Sequence, residues 1–121
     1  KVLNNYVSAA GLAAAAEAVI IGHRFGIEPQ VLTDILNASS GRNNSTENKL
    51  AQFILNKKYN AGFTLGLMAK DLAIAMEVAE AGNVEAELGH ACLKVWKQAE
   101  LSLGPQADHT AIAKFLGDLP S

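Results

Sequence analysis

Four residues near the start of the chain have the types and spacing to do chemistry: Lys1, Asn4, Asn5 and Ser8. They stand at i, i+3, i+4 and i+7, so on a helix they form one polar stripe. A lysine one turn before a carboxamide can give or take a proton while the amide fixes a substrate oxygen. Lysine's reference pKa is about 10.4, so it serves as a base near neutrality only where burial or a nearby cation favours the neutral amine. The same stripe also reads as the solvated end of a helix. A second charged pair, Lys70-Asp71, lies in the middle of an apolar stretch. A charge there needs a partner or a route to water. Snorkelling of Lys70 to solvent, with Asp71 paired to a neighbouring helix, is the structural alternative to a functional role.

Other reactive side chains are isolated. His23, His90 and His109 lie far apart with no second histidine or cysteine at ligand spacing, so no metal site is expected and each reads as a surface or packing residue. Cys92 falls on an apolar helix face and reads as a core thiol. No serine stands between glycines as a nucleophile motif, and no glycine-rich loop could cradle a phosphate. A cofactor site must come from elsewhere.

The elements that position these groups read as helices throughout. The first covers about residues 1–25, roughly 35 Å at 1.5 Å per residue. It is almost uniformly apolar from Ala9 to Ile21, the mark of a helix surrounded by others. No serine, threonine, aspartate or asparagine cap precedes Lys1, so the helix reads as entered part-way and the chain as the downstream part of a longer protein. Gly26 ends this helix and Pro29 opens the next, on which Val31, Leu32, Ile35 and Leu36 have 3–4 spacing. Asn37 to Asn44 reads as a loop. Ser45 with Asn48 is a weak helix start ahead of Leu50, Phe53 and Ile54. Phe63 to Ala81 carries two apolar faces, one with Leu65, Met68, Leu72 and Met76, the other with Leu67, Ile74 and Val78, and reads as sandwiched. Glu85 to Leu101, with Leu88, Cys92, Val95 and Trp96, ends at Gly104-Pro105, and Asp108 caps a short last helix. The expected fold is all-α, five to six helices around one long N-terminal helix.

Composition narrows the classes. The 121 residues suit one domain with one core. Half are apolar, which rules out a disordered chain, and a single cysteine rules out a disulfide scaffold. With 21 alanines and 6% aromatics, close helix packing is expected. A net charge of −2 offers no basic footprint for nucleic acid or for a membrane surface. The longest apolar run, Gly11 to Gly22, holds Glu17 and falls short of the roughly 18 residues a bilayer span requires. No secretory signal opens the chain. The expectation is a soluble, intracellular, alanine-rich domain.

Four motifs in register carry a resemblance over essentially the whole chain. Lys1-Val2-Leu3-Asn4-Asn5 resembles the catalytic lysine motif of the β-hydroxyacid dehydrogenases, the group that contains 3-hydroxyisobutyrate dehydrogenase. Leu36-Asn37-Ala38-Ser39-Ser40-Gly41-Arg42 is similar to that family's loop after the second helix. Phe63 with Leu67-Met68-Ala69-Lys70-Asp71-Leu72 is similar to its later signature, and Asp108-His109-Thr110-Ala111 to the final-helix entry of tartronate semialdehyde reductases.

The resemblance implies a helical domain like the C-terminal one of 6-phosphogluconate dehydrogenase, following a Rossmann domain that binds NAD or NADP, with the active site in the cleft between them. It implies Lys1 as general acid/base, Asn5 and, beside it, Asn4 as substrate contacts, and Lys70, Phe63 and Asp71 on the cofactor side. The substrate would be a short hydroxyacid or semialdehyde, and no metal is needed. Dimers or tetramers are implied, in a bacterial cytoplasm or a mitochondrial matrix. A non-catalytic helical oligomerisation module is the alternative that keeps the fold. An imine reductase on a related fold is the other, against which the lysine at position 1 counts.

Overall fold

The computed structural model describes residues 1–117 and 119. Its elements are α1 (Val2–Arg24), α2 (Pro29–Asn37), α3 (Asn44–Asn48), a π-helical turn (Leu50–Ile54), α4 (Leu65–Ala81), α5 (Glu87–Leu103), a 3-10 turn (His109–Ala111) and α6 (Ile112–Leu116). No strand occurs among the described residues; Thr64 and Asp108 form one isolated antiparallel bridge. The all-α expectation therefore holds at the level of class.

α1 runs through the middle and packs against α2, α3, α4, α5 and α6. Its Leu12, Ala16 and Val19 are sealed among Leu50, Leu65, Leu72, Trp96 and Ile112. Small side chains make this possible, because Ala9, Ala15 and Ala16 let neighbouring backbones approach α1 closely. Taken as a whole helix, α1 is also long and apolar enough to cross a membrane, with a mean hydropathy of 1.3 over 18 residues. That revises the expectation drawn from uninterrupted runs alone. Its contacts are those of a core helix.

Local signals set most ends. At the α1 terminus Ile27 N donates to Gly22 O at 2.9 Å, with Gly26 in the left-handed region that suits glycine. Pro29 sits in the first turn of α2. Asp108 caps the 3-10 turn that leads into α6, accepting from Thr110 N at 3.0 Å.

Three expectations need correction. α3 is capped by Asn43, not opened by Ser45: Thr46 N donates to Asn43 Oδ1 at 2.9 Å and Asn43 N to Thr46 Oγ1 at 2.9 Å. Such a reciprocal box satisfies two backbone donors at once. α4 is not sandwiched, since Leu67 and Val78 are about half exposed and Lys70 is exposed. On α5, Leu88 faces solvent, and the buried side is Gly89, Cys92, Trp96 and Ala99.

Candidate functional site

α1 and α4 cross so that the polar start of one meets the only buried carboxylate among the described residues. Asp71 is 5% exposed. Asn5 Nδ2 donates to Asp71 Oδ2 at 2.6 Å, and Lys1 Nζ stands 3.5 Å from the same oxygen. A buried carboxylate needs hydrogen bonds and a counter-charge, and α1 supplies both. The Lys1 side chain is itself 77% exposed. The arrangement is thus a fixed anion, an oriented carboxamide and an amine that reaches outward. The second N–H of Asn5 remains to donate to a substrate oxygen, while its Oδ1 lies 3.5 Å from Asn4 Nδ2.

The structure brings Lys1, Asn5 and Asp71 together and separates the rest. Lys70, next to Asp71, is exposed rather than buried, so its aliphatic stem carries the ammonium to the surface. Asn4 turns to another flank of α1. There it borders a cavity of about 180 Å³ with Ser8, Gly11, Asn43, Asn44 and Ser45. Phe63 packs edge-to-face on His109, ring centroids 5.6 Å apart.

His109 anchors a second cluster that spacing alone did not reveal. It is 3% exposed. Its Nδ1 lies 3.0 Å from Phe63 O and its Nε2 3.0 Å from Lys49 Nζ. This requires a neutral ring that donates through Nδ1–H and accepts the lysine proton at Nε2. Burial first, then the neighbouring Lys49 charge, holds the His109 pKa below its ordinary value, against the pull of the Phe63 carbonyl and Asp108. Burial likewise lowers Lys49, opposed by Asp108. Burial pushes Asp108 up, but the bonds it accepts from the Thr110 hydroxyl and from the Gly62, Thr110 and Ala61 backbone outweigh it and leave the carboxyl below its usual range. His23 and His90 take no part, and no group of three potential ligands gathers among the described residues.

Residues 1–116 match the family described as "NAD-binding of NADP-dependent 3-hydroxyisobutyrate dehydrogenase". The chain belongs to this family. It is 36% identical over 84 residues to 2-(hydroxymethyl)glutarate dehydrogenase of Eubacterium barkeri, covering 69% of this chain and 28% of that protein. It is 30% identical over 122 residues to mitochondrial 3-hydroxyisobutyrate dehydrogenase of Rattus norvegicus, covering 96% and 36%. Among solved structures, Mycobacterium tuberculosis 3-hydroxyisobutyrate dehydrogenase with L-serine superposes with a TM-score of 0.84 at 27% identity, covering 97% of this chain and 42% of that one. The chain therefore spans about a third of the length of the curated relatives it matches.

The cofactor of this dehydrogenase family is NAD or NADP. The donor set here fits such a ligand: exposed Lys70 offers a cation to a polyanionic dinucleotide, and exposed Lys1, 3.5 Å from the carboxylate of the adjacent Asp71, offers a proton-transfer group. Among the described residues no strand leads into a glycine-rich turn.

Proposed function

We propose that this chain is the C-terminal helical part of an NAD(P)-dependent hydroxyacid dehydrogenase, closing an active site against a Rossmann-type domain that lies upstream. The observation that carries the reading is the Lys1–Asn5–Asp71 cluster: a surface amine and a carboxamide, both tied to one buried carboxylate. The fold supports it through its likeness to the L-serine-bound mycobacterial enzyme.

In the oxidative direction Lys1 Nζ takes the substrate's hydroxyl proton as the adjacent carbon gives up its hydride, leaving an aldehyde. The nicotinamide, when bound, accepts that hydride. Asn5 holds the reacting oxygen, and Asp71 fixes both α1 side chains so that neither has to be ordered in each turnover. Asn4 lies beside the substrate. On the α4 side Lys70 contacts the dinucleotide, with Phe63 lining the nicotinamide region.

The substrates in the relatives' names share one skeleton, HOCH2–CH(R)–COO−. R is methyl in 3-hydroxyisobutyrate, ammonium in L-serine and a carboxyethyl group in 2-(hydroxymethyl)glutarate. A short acid of this skeleton, or the matching semialdehyde, is the substrate class proposed here. The exposed apolar side chains Leu67 and Val78 on the open face of α4 suit burial against the rest of the protein or a second subunit in a homo-oligomer.

Lys1→Ala in the full-length protein tests the reading. Turnover of hydroxyacids should fall by about 10²–10⁴, the usual contribution of a positioned acid/base, while cofactor binding by fluorescence titration is retained. Unchanged turnover would rule out Lys1 as the proton-transfer group.

A further inference from the structure

The cluster around His109 takes no part in the chemistry described above, yet it is fixed to a residue that does. Phe63, assigned above to the nicotinamide region, is gripped by His109 in three ways. Its carbonyl accepts from the His109 backbone N–H at 2.7 Å and stands 3.0 Å from the ring Nδ1, and its ring packs edge-to-face on the imidazole. The grip belongs to a longer seam. Gly62 N donates to Asp108 Oδ1 at 2.8 Å, Leu65 N to Ala107 O at 2.8 Å and Gly66 N to Pro105 O at 3.0 Å. Gly66 permits this approach, since an added Cβ would fall 3.1 Å from Pro105 O. The seam fixes the entry to α4, the helix that carries Lys70 and Asp71.

The far side of the imidazole makes the unusual contact. Its Nε2 meets an ammonium, Lys49 Nζ, at 3.0 Å. Lys49 is half-buried, and a lysine withdrawn from water is ordinarily matched by a carboxylate. Here its acceptor is a neutral ring. Asp108 lies on the other side of that ring, 3.7 Å from Nδ1, and accepts from Gly62 N, Thr110 N and the Thr110 hydroxyl.

Such a bridge exists in one protonation state alone. The Phe63 carbonyl can only accept and the ammonium can only donate, so Nδ1 must carry the ring's proton and Nε2 must be bare. Lysine is the stronger base by several pH units, so the proton between Nζ and Nε2 resides on Lys49. One more proton, on Nε2, takes the acceptor away from Lys49 and sets two cations face to face where little water screens them.

The surroundings do not relieve that repulsion. Among the described residues the charges that face His109 are Lys49, from the end of α3, and Asp108, from the turn on which His109 stands. Asp108 already serves Gly62 and Thr110. The π-helical turn packed against this site has no ionisable side chain. Lys114 of α6 stands over the Tyr59 ring, and Asp71 of α4 is bonded to Asn5. A ring driven off Lys49 therefore has to turn, and Phe63 is tied to that ring.

We propose that His109 is a positioning residue for the cofactor: neutral and bridged to Lys49, it holds Phe63 in the nicotinamide region, and a proton on its Nε2 breaks the bridge and loosens cofactor binding. The proposal rests on the dehydrogenase reading, in which Phe63 lines that region. It goes beyond that reading by making the binding of NAD or NADP pH-dependent through a side chain that touches neither cofactor nor substrate.

The test measures the Kd of NAD and of NADP for the full-length protein by fluorescence titration, without substrate, so that proton transfer by Lys1 does not enter. Kd should be flat above pH 6.5 and should rise in more acid solution, approaching about tenfold per pH unit as the neutral form becomes scarce. Lys49→Gln should abolish the rise, because its amide can donate to a bare Nε2 and accept from a protonated one. Two variants at position 109 divide the bonds of the ring. In His109→Asn the amide nitrogen replaces Nδ1 and keeps the bond to Phe63 O, so Kd at neutral pH should stay within about threefold and the acid rise should vanish. In His109→Gln the amide oxygen replaces Nε2 and keeps Lys49 but not Phe63 O, so Kd should rise about tenfold at every pH, with kcat at saturating cofactor changed by less than about threefold. A parent profile with no acid rise, a rise that persists in Lys49→Gln, or equal Kd in the two position-109 variants overturns the proposal and leaves the dehydrogenase reading standing. Failure to bind either cofactor even at neutral pH overturns both. If the position-109 variants do not fold, the profile of Lys49→Gln against the parent decides alone, loss of the rise supporting the proposal and its persistence overturning it.

Discussion

Asp71 should be the residue through which α1 and α4 hold the reactive lysine in place, and its contribution can be worked out from the geometry. The Asn5 Nδ2 to Asp71 Oδ2 bond is 2.6 Å long and charge-assisted. Hydrogen bonds to charged groups are worth about 1.5–3 kcal/mol net. The Lys1 contact is 3.5 Å with the lysine side chain 77% exposed, so screening limits it to about 0–1 kcal/mol. Asp71→Ala removes both and leaves the Asn5 amide without its acceptor, for a total of about 2–3 kcal/mol. For a domain of 121 residues that lowers Tm by roughly 8–12 °C. The decisive assay is a double-mutant cycle, in which urea unfolding is measured for Asn5→Ala, Asp71→Ala and the pair. The coupling should be about 2 kcal/mol, while the Lys1→Ala/Asp71→Ala cycle should give less than about 1 kcal/mol. A coupling below about 0.5 kcal/mol between Asn5 and Asp71 would refute the idea that this carboxylate positions α1.

Two further outcomes follow from buried titratable groups. The His109 pKa is held below the ordinary 6.5, so the unfolded chain binds a proton more readily than the folded one does. Its contribution is fully present above pH 6.5 and is lost as pH falls through the folded value, with stability therefore decreasing into the acid range. His109→Phe should flatten that limb of the stability profile measured by urea unfolding, and an unchanged acid limb would exclude His109 as its source. Cys92, buried beside Trp96, has its thiol pushed up to about 11 from 9.0, chiefly by burial. At pH 8 it should react with a maleimide about a hundredfold more slowly in the folded chain than in urea, and equal rates would contradict its placement in the core.

Local chemistry made much of the fold legible. Gly26, Pro29, Gly104 and Asp108 each act within a residue or two of where they stand, and each marks an element boundary in the structure. Where several candidates crowd together, the local signal is ambiguous. Asn43, Asn44 and Ser45 are all capable caps, and the choice falls to Asn43 because its backbone is extended, at φ −150° and ψ −179°, with its side chain turned back on Thr46. The π-helical turn, in which Leu55 N donates to Leu50 O at 2.8 Å, carries no composition signal at all. The two apolar faces of α4 suggested burial on both sides, yet within this chain only the face with Leu65, Met68 and Leu72 finds partners. Lys70 takes the route to solvent and Asp71 pairs with a neighbouring helix, the structural alternative that the charged pair itself suggests. The candidate site divides along the same line. Lys1, Asn5 and Asp71 were each visible as residues, but Asn5 and Asp71 are 66 positions apart, and Lys49 and His109 are 60 apart. No spacing rule reaches that far. The crossing of α1 and α4 decides the first pair, and the packing of the α3 end against the 3-10 turn decides the second.

The two adjacent asparagines give the clearest reason why sequence proximity does not assign roles. Successive residues on a helix point about 100° apart, because 3.6 of them complete a turn. Asn4 and Asn5 therefore border different neighbours of α1. Asn5 faces α4 and is bound to Asp71, while Asn4 faces the entrance to α3 and borders the polar cavity. Lys1 lies one turn before both. A substrate held at Lys1 thus meets two flanks of one helix. The flank with Asp71 is rigid and charged and suits the invariant part of the reaction, the proton and the reacting oxygen. The flank with Asn4 carries no charge and is open to solvent. Exchange of Asn5, bonded to Asp71, should therefore lower kcat for every acid alike, whereas exchange of exposed Asn4 should have the smaller effect. Steady-state kinetics of Asn4→Ala and Asn5→Ala on 3-hydroxyisobutyrate, L-serine and 2-(hydroxymethyl)glutarate separates the two, and an equal loss in both would show that the bond to Asp71 does not set the role of Asn5 apart.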